Sequence, residues 1–240
     1  FILVCAFLIG IYFLWLNLPS ETLNFEDFQG NFSGLTENSK QFYSNMRYIN
    51  KNIPYKMSEK CSPKKQRDLE AATKILEEKT ILSFYKSDKP EIVVSCSNIS
   101  PEPEEEGHFV AGEGGPAIII NATKYSVILV GKIALYRPES CETPQVALHE
   151  LLHALGFDHN NNNESIMYPY TSCKQKLDEY IIEEINLIYS APSEADLVIE
   201  RIVANKSGRY LNFEATISNV GLKISSSPEL KIYQEKEIIE

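Results

Sequence analysis

Nowhere in these 240 residues is there a run of basic side chains. Lys and Arg total 23 against 33 Asp and Glu, a formal charge of -10. With no cationic stripe to neutralise phosphates, nucleic acid is not expected as a partner. The N-terminal end has its own absences. Phe1 to Leu16 is apolar apart from Gly10, yet no charged segment precedes it and no small-x-small cleavage pattern comes after it. Val4 stands where a lipobox before Cys5 would need a small residue. Because the first residue is Phe rather than Met, the true start is expected upstream. The run approaches the roughly 17 residues that span a bilayer, so residues 1–18 are expected to form a transmembrane helix, with a cleaved signal segment as the alternative. On either reading the remainder of the chain is expected outside the cytoplasm, either membrane-anchored through a single pass or secreted. Residues 19–40 mix Asn, Ser, Gly, Glu and Phe without a period and read as a stem.

Histidine is scarce as well. Of four, three fall within His149-Glu150-Leu151-Leu152-His153-Ala154-Leu155-Gly156-Phe157-Asp158-His159. A helix from about Pro144 to Leu155, with Thr143 as N-cap and Pro144 at its first position, puts His149 and His153 one turn apart on one face. Both imidazoles then reach one ion. Glu150, about 100° further round, misses that coordination vertex but can touch a water on the ion. Gly156 can end the helix in the left-handed conformation, and the returning chain brings in His159 as a third nitrogen. Three imidazoles and an open position make the ligand set of one catalytic Zn2+ ion, since structural sites usually close all four positions. The fourth histidine, His108, lies in a Glu- and Pro-rich loop and reads as an exposed loop residue.

Downstream stands Ser165-Ile166-Met167-Tyr168-Pro169. Together the two stretches resemble the metzincin zinc endopeptidases, with their His-Glu-x-x-His-x-x-Gly-x-x-His pattern and Met-turn, and most closely the matrixin branch. The resemblance implies zinc held by His149, His153 and His159, Glu150 as general base, and Met167 as a hydrophobic floor beneath the metal. It further implies a protein or peptide substrate bound as an added antiparallel strand along an exposed sheet edge from Gly114 to Ile120, Ile118 included. The pocket beside the metal would be lined near Met167 to Tyr170, by Tyr168 and Pro169 among others, favouring an apolar residue just after the cut. Matrixins usually carry Tyr two places after the proline. Here Tyr170 follows Pro169 directly and Thr171 takes that place. No zinc-capping cysteine motif of a zymogen occurs. A structural Ca2+ ion is compatible with the resemblance, but no residue pattern points to one. The alternative is a cell-surface binding or adhesion protein with a metzincin-like domain and little turnover.

Around this motif, residues 41–191 read as one α/β (α+β) domain, a twisted mixed sheet with about three helices in the metzincin order. Lys65 to Lys79 has Leu69, Ala72, Ile75 and Leu76 at helical spacing. Glu91 to Cys96 reads as a strand, Gly112 to Pro116 as a break, Ala117 to Asn121 and Val127 to Tyr136 as further strands, and Gln175 to Tyr189 as a helix. After the linker Ala191-Pro192-Ser193, residues 195–240 alternate in period two from Asp196 to Val203 and from Tyr210 to Ile217. This resembles the opening strands of a CARDB-type immunoglobulin-like sandwich. Such a sandwich needs about 100 residues, so a partial β module is expected, with a hairpin appendage as the alternative.

Cys61, Cys96, Cys141 and Cys173 form an even set outside the cytoplasm, and three pairings are open to them. Cys141 and Cys173 flank the histidine motif and Met-turn. Pairing them would staple that loop, worth about 3–4 kcal/mol on a chain-entropy estimate, and Cys61 with Cys96 would tie the first helix to its strand. Those two disulfides are the expected pairs. Sequons at Asn31, Asn98, Asn121, Asn163 and Asn205 suit an exported surface.

Overall fold

The computed structural model describes residues 41–103, 109–122, 124–137, 141–207, 210–225, 229–231, 233–234 and 237–238, all within the unit from Leu35 to Glu240. The expected membrane segment at 1–18, the stem at 19–40 and His108 lie outside the described residues. Among those residues no helix is long and apolar enough to cross a membrane.

The chain runs β1 (Met46–Tyr48), β2 (Asn52–Met57), α1 (Pro63–Lys79), β3 (Ser83–Lys86), β4 (Ile92–Cys96), β5 (Gly112–Asn121), β6 (Ser126–Leu135), α2 (Gln145–Ala154), α3 (Glu179–Ser190), β7 (Leu197–Ser207) and β8 (Tyr210–Asn219). The two-residue strands β9 (Tyr233–Gln234) and β10 (Glu237–Ile238) pair antiparallel. The main sheet has the order β1-β6-β4-β2-β3, with β5 paired to β6. Strand β6 is its hub. One side pairs in parallel with β1 through Ser126–Ile128 and with β4 through Gly131–Leu135. The other side pairs with antiparallel β5, whose outer side is a free edge among the described residues.

Helix α1 starts two residues before the expected Lys65, because Pro63 suits the first helical turn and the Ser62 hydroxyl accepts from the Lys65 N–H. Its apolar stripe of Leu69, Ala72 and Leu76 is buried in the core. Helix α2 packs against α1, β5 and β6, and all ten of its residues are buried.

Two buried cations tie distant parts of the chain. The Lys65 ammonium donates to the carbonyls of Leu135 at 2.9 Å, Tyr136 at 3.0 Å and Ser97 at 3.2 Å, clamping the ends of β4 and β6. Arg47, 1% exposed, donates to Ile188, Ala191, Tyr48 and Ile49 carbonyls and lies 4.6 Å over the Tyr189 ring. It thus joins β1 to the carbonyl end of α3. Disulfides link Cys61 to Cys96 and Cys141 to Cys173.

The structure corrects several sequence expectations. Gly112 to Pro116 is not a break but the first half of β5, paired with Gly131 to Leu135. Pairing with β6 overrides the weak strand propensity of glycine, and a proline is tolerated on an edge strand. Thr143 does not cap α2 through its side chain. Helix α2 starts at Gln145 with Pro144 in the cap position and no side-chain cap bond, while the Thr143 carbonyl accepts from the Gln145 N–H at 2.9 Å. Helix α3 starts at Glu179 rather than Gln175, because the Gln175 side chain is engaged with the preceding loop, accepting from Ser172 N–H at 2.8 Å and donating to Tyr170 O at 2.9 Å. Strands β1, β2 and β3 have weak local signals; β1 has only three residues, and Pro54 interrupts β2. In residues 195–240 the described strands are the antiparallel hairpin β7–β8 and the short β9–β10 pair.

Replacing Lys65 by Met should remove the donor shared by the Ser97, Leu135 and Tyr136 carbonyls, of which Leu135 O keeps the Ser97 N–H at 3.2 Å, and destabilise the domain by about 1–3 kcal/mol. Urea unfolding measures it; an unchanged midpoint would contradict the clamp.

Candidate metal centre

Helix α2 is buried on every side yet carries Gln145, His149, Glu150 and His153. Buried polar groups are costly unless partnered, so each partner is informative. The Nδ1 of His149 lies 2.6 Å from the Ile166 carbonyl, and the Nδ1 of His153 lies 2.8 Å from the Phe157 carbonyl. A carbonyl only accepts, so both Nδ1 atoms carry the hydrogen and both Nε2 atoms present a lone pair.

Those lone pairs face each other. The Nε2 atoms of His149 and His153 are 3.0 Å apart, and the Nε2 of His159 is 3.2 and 3.1 Å from them. Whichever tautomer His159 takes, the contact between His149 and His153 stays lone pair to lone pair. That is repulsive in a dry interior unless a cation lies between them. Tetrahedral zinc with nitrogens at about 2.0–2.1 Å needs them about 3.3 Å apart, close to what is seen, so the donor set fits the ion. The three residues form a group able to hold a metal.

Burial lowers the pKa of His149 to about 4, and lowers those of His153 and His159 as well. All three imidazoles are therefore neutral near pH 7, the form that ligates.

Local sequence explains the turn. Gly156 has φ +96°. Its N–H donates to His153 O at 2.8 Å and the Phe157 N–H donates to Leu152 O at 3.0 Å, the paired bonds of a Schellman cap. A Cβ on Gly156 would also stand 2.8 Å from the Cβ of Met46. The cap that stops the helix thus delivers the carbonyl that orients His153. After His159, Asn160 gathers the loop. Its N–H donates to Met167 O at 2.9 Å, and its amide donates to Ser165 Oγ at 2.7 Å and Tyr180 Oη at 2.9 Å. Ser165 in turn donates to Asp178 and accepts from the Met167 N–H.

Glu150 is 6% exposed. Burial, and then the nearby charge of Glu113, push its carboxyl well above the usual carboxylate range. Glu113, on β5, accepts a hydrogen bond from the Tyr136 hydroxyl. Strand β5 crosses α2 so closely that a Cβ on Gly112 would lie 2.8 Å from Glu150 Oε1, and one on Gly114 2.3 Å from the Glu150 carbonyl oxygen. At Gly114 the obstacle is backbone, so glycine is required there, whereas a side chain at Gly112 would displace the Glu150 carboxyl.

The sequence-derived candidates fall into two groups. His149, His153 and His159 converge, with Glu150 next along α2. Gly114 reaches Glu150, whereas Ile118 is exposed about 13 Å further along β5. Met167 is fully buried, Tyr168 half-buried and Pro169 exposed. The Tyr168 and Tyr170 rings meet edge to face at 5.9 Å. Glu113, Tyr136 and Asn160 were not singled out from sequence; only Asn160, in an Asn-rich turn, had a local signal. A cavity of about 490 Å³ lined by Arg47, Lys51, Tyr85 and Tyr189 contains none of the three histidines.

A family model described as Matrixin matches residues 47–190, more than half of the chain. The chain belongs to the matrixin family. Its matrixin domain is that of a zinc metallopeptidase, a class that acts on proteins or peptides. No individual curated protein matches the chain.

In this matrixin domain Gly156→Ala should strain the left-handed turn and press on Met46, costing about 2–4 kcal/mol and weakening metal binding through His153. Thermal unfolding and zinc titration against a chelator test it; wild-type values in both would refute the role given to the turn.

Proposed function

We propose that this protein is a zinc-dependent endopeptidase that hydrolyses extracytoplasmic proteins, with Glu150 as general base. The carrying observation is the cluster of three imidazole Nε2 atoms at 3.0–3.2 Å on a buried helix whose Glu150 carboxyl abuts the free-edge strand β5.

His149, His153 and His159 would hold the ion. Bound zinc supplies Lewis acidity, which polarises a peptide carbonyl and makes a water acidic near neutral pH. Glu150, one residue from a ligand, would be favoured in its ionised form by a dication on the three imidazoles, against the burial and the Glu113 charge that raise its pKa. Glu150 accepts the proton of the attacking water and returns it to the leaving amine. The Ile166 and Phe157 carbonyls keep two imidazoles turned inward. The outer edge of β5 offers unpaired backbone groups to an extended substrate lying antiparallel, including at Gly112 and Gly114, where no side chain intervenes. Met167 packs as an apolar support, and Tyr168 and Pro169 border the pocket for the residue after the cut.

The apolar run from Phe1 to Leu16 and the two disulfides support an anchored domain outside the cytoplasm. Protease shaving of intact cells should release the domain; full protection until lysis would overturn this placement.

Glu150→Ala should keep zinc, because the three imidazoles remain, and lower kcat by roughly 10²–10⁴. His159→Ala should lose zinc stoichiometry instead. Metal analysis together with peptide hydrolysis separates the two. Full activity in Glu150→Ala would rule out the assigned base, and intact zinc stoichiometry in His159→Ala would rule out the third ligand.

A further inference from the structure

Just before β5 begins, a cation sits on an aromatic support. The Arg137 guanidinium lies 4.1 Å from the centroid of the Phe109 ring, and both residues are exposed. The Arg137 N–H donates to Ala111 O at 3.3 Å, beside the Tyr136 N–H at 2.9 Å. This pins the pair next to Gly112, the residue that lies against the Glu150 carboxyl. An extended chain rises about 3.3 Å per residue, so Phe109 stands about three residues along the rim from the point opposite Glu150.

We propose that Arg137, seated on Phe109, forms a subsite for an acidic side chain two or three residues after the scissile bond. The inference rests on the peptidase reading and on the peptide lying antiparallel to β5. In that direction residues before the cut run toward the exposed Ile118 and Ile120, and residues after it run past Ala111 and Phe109. The cleft is then apolar on one side of the reacting bond and cationic on the other.

The chemistry favours a carboxylate. A guanidinium presents a planar fork of donors that matches two carboxylate oxygens, and stacking on an aromatic face holds that plane in place before binding. Glu113 shares this corner, but it is half-buried and accepts the Tyr136 hydroxyl, so among the described residues of this corner the exposed charge is that of Arg137. The whole chain carries a formal charge of -10, which repels acidic peptides at long range. Any preference for them must come from a local contact, and salt must screen it.

The test uses the full chain loaded with zinc and peptides that differ only at the second and third residues after the cut, as Asp, Asn or Lys. Wild type should favour Asp over Lys by about fivefold in kcat/KM, and less at high salt. Arg137→Glu should reverse the order, Arg137→Lys should retain it in part, and Phe109→Ala should weaken it; zinc stoichiometry should stay at one in each. The same peptides are titrated by fluorescence anisotropy onto zinc-loaded Glu150→Ala, where the order of affinities should be the same. An identical order in wild type and Arg137→Glu, or no discrimination in either assay, would overturn the subsite. If wild type cleaves none of the peptides, the peptidase reading fails, and the binding order alone then decides the subsite.

Discussion

The carbonyl oxygens of Phe157 and Ile166 turn two imidazoles inward, and much of the surrounding structure holds those two oxygens in place. The first sits just beyond the Gly156 turn. That turn is closed by its own pair of helix-end bonds and backed by the Phe42 N–H, which donates to Gly156 O at 2.9 Å. Gln41 bridges Phe157, and the Phe42 ring stacks on His153 at 5.8 Å. The second oxygen belongs to a loop fixed by Asn160, Ser165 and Asp178, with the Ile166 N–H donating to Lys176 O at 2.8 Å. Without those partners the imidazoles could rotate, and the three-nitrogen cluster would not be preformed.

A preformed cluster has an energetic cost. It places facing lone pairs and a carboxyl inside a helix that is buried throughout, an arrangement unfavourable in the absence of a cation. The rest of the domain offsets it. Apolar packing of α1 and α2 on the sheet, two disulfides, and the buried Lys65 and Arg47 clamps join elements far apart in the chain. Metal binding to such a domain stabilises the folded state as well as readying it for chemistry. The strand β5, with its outer side unpaired among the described residues, passes directly against Glu150.

Local information in the sequence was enough to bring the three histidines of the candidate metal centre together. Spacing of four between His149 and His153 sets one helical face, a glycine at 156 stops the helix, and the third histidine comes within the reach of the returning chain. These are short-range constraints, so they survive without knowledge of the fold. Much the same holds for α1, whose apolar stripe repeats at the helical period. The strands were harder. Met46–Tyr48 has no period to detect, and Gly112–Pro116 looks like a break because glycine and proline disfavour strands in isolation.

Tertiary structure alone decided that this glycine-rich segment is a strand, because its conformation comes from pairing with β6 and from the close passage of α2, both contacts with residues distant in sequence. It alone set Glu113 and Tyr136 beside Glu150, and Arg137 over Phe109. No spacing rule links such residues, since their neighbours are fixed by sheet register rather than by helical turns. The sequence by itself determined the ligand types, their order and the helix that bears two of them. That the Ile166 carbonyl orients His149, that the edge strand β5 passes the Glu150 carboxyl, and that Arg137 lies over Phe109 depended on how the elements pack, because those contacts join parts of the chain that only the folded core brings together.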